Sequence, residues 1–140
     1  MGIYVQENRF QFPMEFSGPW AVNQKVELTI VEQQSLISIF IPRMIAAANN
    51  PSVIQSLKPL PSNLLPIKTD IISPDGEREA AFGINNGVLV ALMTYLEISS
   101  GIIRIGLSPN LAVFAGAGST GNDPIHLKFI RQTPHPQFTS

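Results

Sequence analysis

The sequence has no cysteine. That excludes disulfides, thiolate metal sites and cysteine nucleophiles, and it leaves the redox compartment undefined. Charge is scarce as well. Only 14% of the residues are Asp, Glu, Lys or Arg, where an ordinary soluble domain carries about 25%. Nine basic side chains face ten acidic ones, for a net charge of −1. No basic cluster is present to hold a polyanion, so nucleic acid is not expected as a partner. Long hydrophobic runs are missing too. The most apolar window, Gly87 to Leu96, falls well short of the roughly 20 residues of a membrane span. The run from Leu36 to Ile45 is interrupted by Ser38, Pro42 and Arg43. Membrane insertion is therefore not expected. The opening MGIYVQENRF lacks the basic start and apolar stretch of a signal peptide. Gln6 stands where a myristoylation signal after Gly2 would carry Ser or Thr. The expectation is a protein that acts where it is made, or leaves within a larger particle.

What is present is a chain of 140 residues, the length of one domain with a conventional core. Twelve prolines and ten glycines divide it into short pieces, leaving little room for long helices. Between them the chain favours Ile, Val, Phe and Leu, as strands do. Residues Ile3 to Phe16 read as an edge strand or extended arm, because Pro13 interrupts a ladder. Ser17-Gly18-Pro19 turns the chain, and Trp20 beside it is expected to plug the end of a core. Lys25 to Glu32 alternates cleanly, with Val26, Leu28 and Ile30 on one face. After a Gln33-Gln34-Ser35 turn, Ile37, Ile39 and Ile41 share a face, so a hairpin is expected. Its other face carries Leu36 and Phe40, which is apolar for a surface.

The alanines of Met44 to Asn50 favour helix, in competition with a loop over the end of a sandwich. Ser52 to Leu57 reads as a short strand, Leu60 to Pro66 as an arch, and Ile67 to Ile72 as a strand. Glu79 to Ile84 and Val88 to Ile98 are strands around Asn85-Asn86-Gly87, a type I′ signal. Val88 to Ile98 is apolar on both parities, which asks for covering on both faces. Leu92→Asp is expected to disrupt assembly or folding. Ile103, Ile105 and Leu107 form the next inward face, an apolar patch at Leu111, Val113 and Phe114 docks, and Ile125 to Ile130 is the last strand. With eight to ten short strands and no βαβ period, the expectation is an all-β antiparallel sandwich of jelly-roll type. The expected organisation is an arm or connector over 1–15, the sandwich over 16–131 and a tail over 132–140.

Catalytic signals are thin. Gly116-Ala117-Gly118-Ser119-Thr120-Gly121 spells G-x-G-x-x-G, but Asn122-Asp123-Pro124 and a strand follow it instead of the helix a pyrophosphate site needs. A flexible loop is the better reading. His126 lies on the polar face of a strand and His135 in the tail, and the carboxylates are too scattered to complete a metal site with them. Ser99, Ser100, Asp123 and His126 assemble a triad only on paper. Asp75, Glu77 and Glu79, with Arg78 among them, and Asp70 further off, read as solvated turn acids rather than a glycosidic pair. No catalytic, cofactor or metal residue is assigned, no cofactor is expected, and the chain is expected not to be an enzyme. Asp75-Gly76, Asn85-Asn86-Gly87 and Gly116 to Asn122 are the loops available for contact.

The order of these features resembles a family. FSGPWAVNQKVELTIVEQQSLISIFIP, residues 16 to 42, looks like the opening of a domain in phage and large-virus fibre or surface proteins. The Leu60 to Pro66 arch, the Asn-Gly turn, Gly101 to Ile105 and Phe114 follow in the order seen there. The resemblance covers residues 16 to 131. It implies a small jelly-roll-like head, expected as a homotrimer on the virion surface, serving host attachment or assembly with other virion proteins. A host surface glycan or protein would be its partner. The alternatives are a small sugar-binding or sugar-cleaving jelly roll, which an exposed Trp20 or Tyr95 beside an acid pair would favour, and a capsid decoration or assembly factor. Low charge and the two-sided strand point independently to a covered interface, since permanent interfaces resemble a core cut in half.

Overall fold

A computed structural model describes residues 7–66 and 75–131. It contains ten strands: β1 (Glu7–Ser17), β2 (Gln24–Gln33), β3 (Leu36–Ile41), β4 (Met44–Ala47), β5 (Ile54–Ser56), β6 (Gly76–Asn85), β7 (Val88–Glu97), β8 (Ile103–Leu107), β9 (Ser119–Asn122) and β10 (Ile125–Ile130). They form one all-β sheet in the order β10-β3-β2-β1-β5-β8-β7-β6-β9-β4. Each of these pairings is antiparallel.

The local turns set most of this order. β2 and β3 pair across Gln34-Ser35, with Gln34 at φ 56°. β6 and β7 pair across Asn86-Gly87, at φ 53° and 75°, the two positive values a type I′ turn needs. The rest comes from a bend. Pro42-Arg43 separates β3 from β4, and Asp123-Pro124 separates β9 from β10. β3 pairs with β10 and β4 with β9, so the two ends of the strand order are halves of one folded ribbon. The sheet therefore curls into a half-barrel. Gly121 permits the bend: at φ 154°, a Cβ there would lie 1.7 Å from the Met44 carbonyl oxygen.

The concave face is the core. Leu28, Ile30, Ile37, Ile39, Ile41, Leu92, Leu96, Ile103, Ile105, Phe114 and Leu127 are all buried, with Phe16 and Ile54 among them. Full burial of each such side chain is worth about 1.5–3 kcal/mol. Leu60, Leu64 and Leu65 of the arch close one flank.

Several expectations change here. Met44 to Ala47 is strand, because its backbone pairs with β9 and that overrides the helical preference of the alanines. From Glu7 on, the lead-in segment is β1, paired with β2 along its whole length. Pro13 fits because of which edge it faces. The Glu15 carbonyl accepts from Leu57 N–H on the β5 side. Alternation then turns residue 13 to that same side, away from β2, where its missing N–H costs no ladder bond. The long strand β7 is central, between β6 and β8. Leu92 is a core residue, so Leu92→Asp is a test of folding. The strand expected over Ile67 to Ile72, Asp70, and the 132–140 tail with His135 lie outside the described residues.

Candidate functional site

Two of the three candidate loops meet. The Ala115 N–H donates to Asn85 Oδ1 (2.8 Å), Asn86 N–H to Thr120 Oγ1 (3.2 Å) and Gly87 N–H to the Ser119 carbonyl (2.9 Å). Further segments join them. Ala48 N–H donates to the Gly118 carbonyl (2.9 Å), Asn49 N–H to the Pro19 carbonyl (2.7 Å) and Phe114 N–H to the Ser52 carbonyl (2.8 Å). Trp20, 5% exposed, donates its indole N–H to the Thr120 carbonyl at 2.8 Å. It is the expected core plug, and it fastens this end of the barrel. Asp75-Gly76 lies at the other end of β6, nine residues and roughly 30 Å along the strand.

Among the described residues, this pole carries no charge. No Asp, Glu, Lys or Arg occurs in residues 16–24, 44–57, 80–96 or 105–122. The uncharged zone continues down the convex face of the β6–β7 hairpin, where Phe82 pairs with Ala91, Ile84 with Leu89 and Ala80 with Met93. Phe82 is 61% exposed, Val88 61% and Leu89 70%. Val22 and Val113 are exposed on the pole loops. β7 is thus two-sided in a divided way. Its Leu92 to Leu96 half is covered by its own core, while Val88 and Leu89 are bare.

The charged end of the same hairpin is a closed network. The Arg78 guanidinium lies 4.7 Å over the Tyr95 ring and pairs with Asp75 at 3.1 Å. Its hydrogen bond holds the Asp75 carboxyl below the usual range. The Tyr95 hydroxyl donates to the Asp75 carbonyl at 2.8 Å. Burial, then the nearby Asp75 and Glu97 charges, pushes that phenol above its usual range. Glu77 and Glu79 follow on β6, opposite Leu96 and Thr94.

The triad members do not come together. Ser100 Oγ donates to Glu97 at the end of β7. Asp123 and His126 flank the bend beyond Asn122, which is level with Gly83 and so with Val90. Val90 and Glu97 are seven residues apart, roughly 23 Å of strand. Gly116 to Gly121 leads into β9 and meets no helix N-terminus. Among the described residues, no three His, Asp or Glu gather as a metal cluster, and no helix is long and apolar enough to cross a membrane.

No family model matches the chain, and no curated protein matches it. Among solved structures it is similar to a reovirus attachment protein, sigma1, solved in complex with alpha-2,3-sialyllactose. The chain is 10% identical to that protein. The match covers 92% of this chain and 67% of the other, with a TM-score of 0.49. The likeness is one of all-β outline.

One constellation was not legible in the sequence. On the convex face of β2, β3 and β10, Thr29, Phe40 and His126 stand in one cross-strand row. The Phe40 and His126 rings stack with centroids 4.2 Å apart and planes 13° apart. A groove of about 220 Å³ runs beside them, edged by Glu27, Thr29, Pro42 and Pro124. Phe40 marked itself as an aromatic on an outer parity and His126 as a polar-face residue. Only the β3–β10 register joins them.

Proposed function

We propose that the chain is a non-enzymatic recognition and assembly module of a virion surface: a jelly-roll-type head whose copies associate as a homotrimer and present loops for host attachment. One observation carries the assembly part. The β6–β7 hairpin exposes Phe82 and Leu89 on its convex face, with Val88 bare on the other parity beside the turn, and no charged residue lies between Glu79 and Glu97. A contiguous uncharged apolar patch marks a protein contact on a soluble domain. Its composition also matches the cores of obligate interfaces, which are depleted in charge. Three copies arranged around a threefold axis can bury this face together without charge pairing. The attachment part is supported by the family resemblance of residues 16 to 131. Capsid decoration would use the same face against a different virion protein. The alternative of a small sugar-binding or sugar-cleaving jelly roll loses the exposed aromatics it called for at Trp20 and Tyr95, because both are buried.

The test is sedimentation velocity over a range of concentrations, comparing the native chain with Leu89→Asp. The native chain should sediment as three chains. The variant should sediment as one chain and keep a cooperative melt whose temperature no longer depends on chain concentration, since Leu89 is mostly exposed within a single copy. A native chain of single mass at every concentration, or a variant of unchanged mass, refutes the proposal.

A further inference from the structure

We propose that the groove beside the Phe40–His126 stack binds a single neutral pyranose ring, which deepens the recognition reading above and rests on it. Phe40 is 39% exposed although it belongs to a regular strand. Its stack with His126 occupies one face of each ring. Phe40's remaining face looks toward β2, where Thr29 and Glu27 edge the groove. Pro42 and Pro124 form the opposite wall at the ribbon bend, and they are rigid. The site therefore needs little ordering when it is filled.

The groove's dimensions and donors narrow the ligand. About 220 Å³ is below the roughly 300 Å³ where sites for drug-sized ligands begin, so it takes one ring. A pyranose offers an apolar C–H face to an aromatic ring and hydroxyls at its rim. The acceptors at this rim suit those hydroxyls. Glu27 makes no ion pair and no side-chain hydrogen bond among the described residues. Thr29 Oγ1 already donates to Gln11 Oε1 at 3.1 Å, which leaves its lone pairs to accept. An anionic sugar would place its carboxylate against Glu27, so the site favours a neutral one.

The experiment is ligand-observed saturation-transfer NMR on the full chain. The probes are the methyl glycosides of galactose, glucose and mannose, the methyl glycoside of N-acetylneuraminic acid, and tetramethylammonium. At least one neutral hexoside should receive saturation. Phe40→Leu should weaken it by up to about tenfold, the loss expected when an aromatic contact is removed. Phe40→Trp should retain it, and Glu27→Gln should weaken it. Saturation of none of the hexosides overturns the proposal. So does hexoside binding that Phe40→Leu leaves undiminished, or stronger transfer to the sialoside or to tetramethylammonium. The assembly reading fails separately. Hexoside binding to a chain that sediments as a single copy supports the groove and refutes the trimer. A trimer that binds no hexoside refutes the groove alone.

Discussion

Trp20→Phe tests the construction of the uncharged pole. The indole N–H donates to the Thr120 carbonyl, and the ring lies against Gly18, where a Cβ would come within 2.6 Å of it. Phenylalanine keeps one ring and loses the donor. The hydrogen bond contributes about 1 kcal/mol net. Three missing ring atoms, at about 0.8 kcal/mol per methylene-sized group, add about 2 kcal/mol. The expected loss is about 3 kcal/mol. For a chain of this size that corresponds to a fall of roughly 10 °C in Tm. Calorimetry or circular dichroism measures it. The native chain supplies an independent check, because Trp20 is its only tryptophan. Its emission should be blue-shifted and shielded from acrylamide until the melt. A loss under about 1 kcal/mol, together with a quencher-accessible indole, would refute the role of Trp20 as the fastening of this pole.

Two further predictions concern β7. The Tyr95 phenol is raised by burial first and by Asp75 and Glu97 next. The unfolded phenol therefore ionises at lower pH than the folded one. Its contribution is complete below the ordinary value of 10.0 and is lost as pH rises past it toward the folded value. Melting temperatures measured from about pH 8 to pH 11 should fall less steeply in Tyr95→Phe than in the native chain, and parallel curves would contradict this. The Thr94 hydroxyl is buried without a hydrogen-bond partner among the described residues. Thr94→Val should match the native chain or exceed its stability by up to about 1–2 kcal/mol, as read by denaturant unfolding. A clear loss would show that the hydroxyl has a partner.

The parts of this fold that could be read from sequence are the parts fixed locally. β2 and β3 follow from alternation around a short turn, and β6 and β7 from Asn86-Gly87, whose positive φ values only a few residues tolerate. What was hidden depends on distant pairing. Three successive alanines favour helix in isolation, yet Ala46 sits opposite Thr120 and Ala47 opposite Ser119 in a ladder. Pro13 looked like a break because its edge cannot be known until Glu15 is seen bonded to Leu57. The functional surface was half legible. The two-parity apolar run asked for covering on both faces. It could not say that Leu92 and Leu96 are covered within the chain while Val88 and Leu89 are not. The Phe40–His126 stack joins residues 86 positions apart, and no local pattern announces it.

The claim on which the rest depends is that the bare face of β6 and β7 is buried between copies. Sedimentation equilibrium of the native chain at low salt and at 1 M salt tests it most directly. The Debye length shrinks to about 3 Å at 1 M, so a contact without charges should hold. The mass of three chains is expected under both conditions. A single chain at every concentration, or an assembly that falls apart as salt rises, would contradict it.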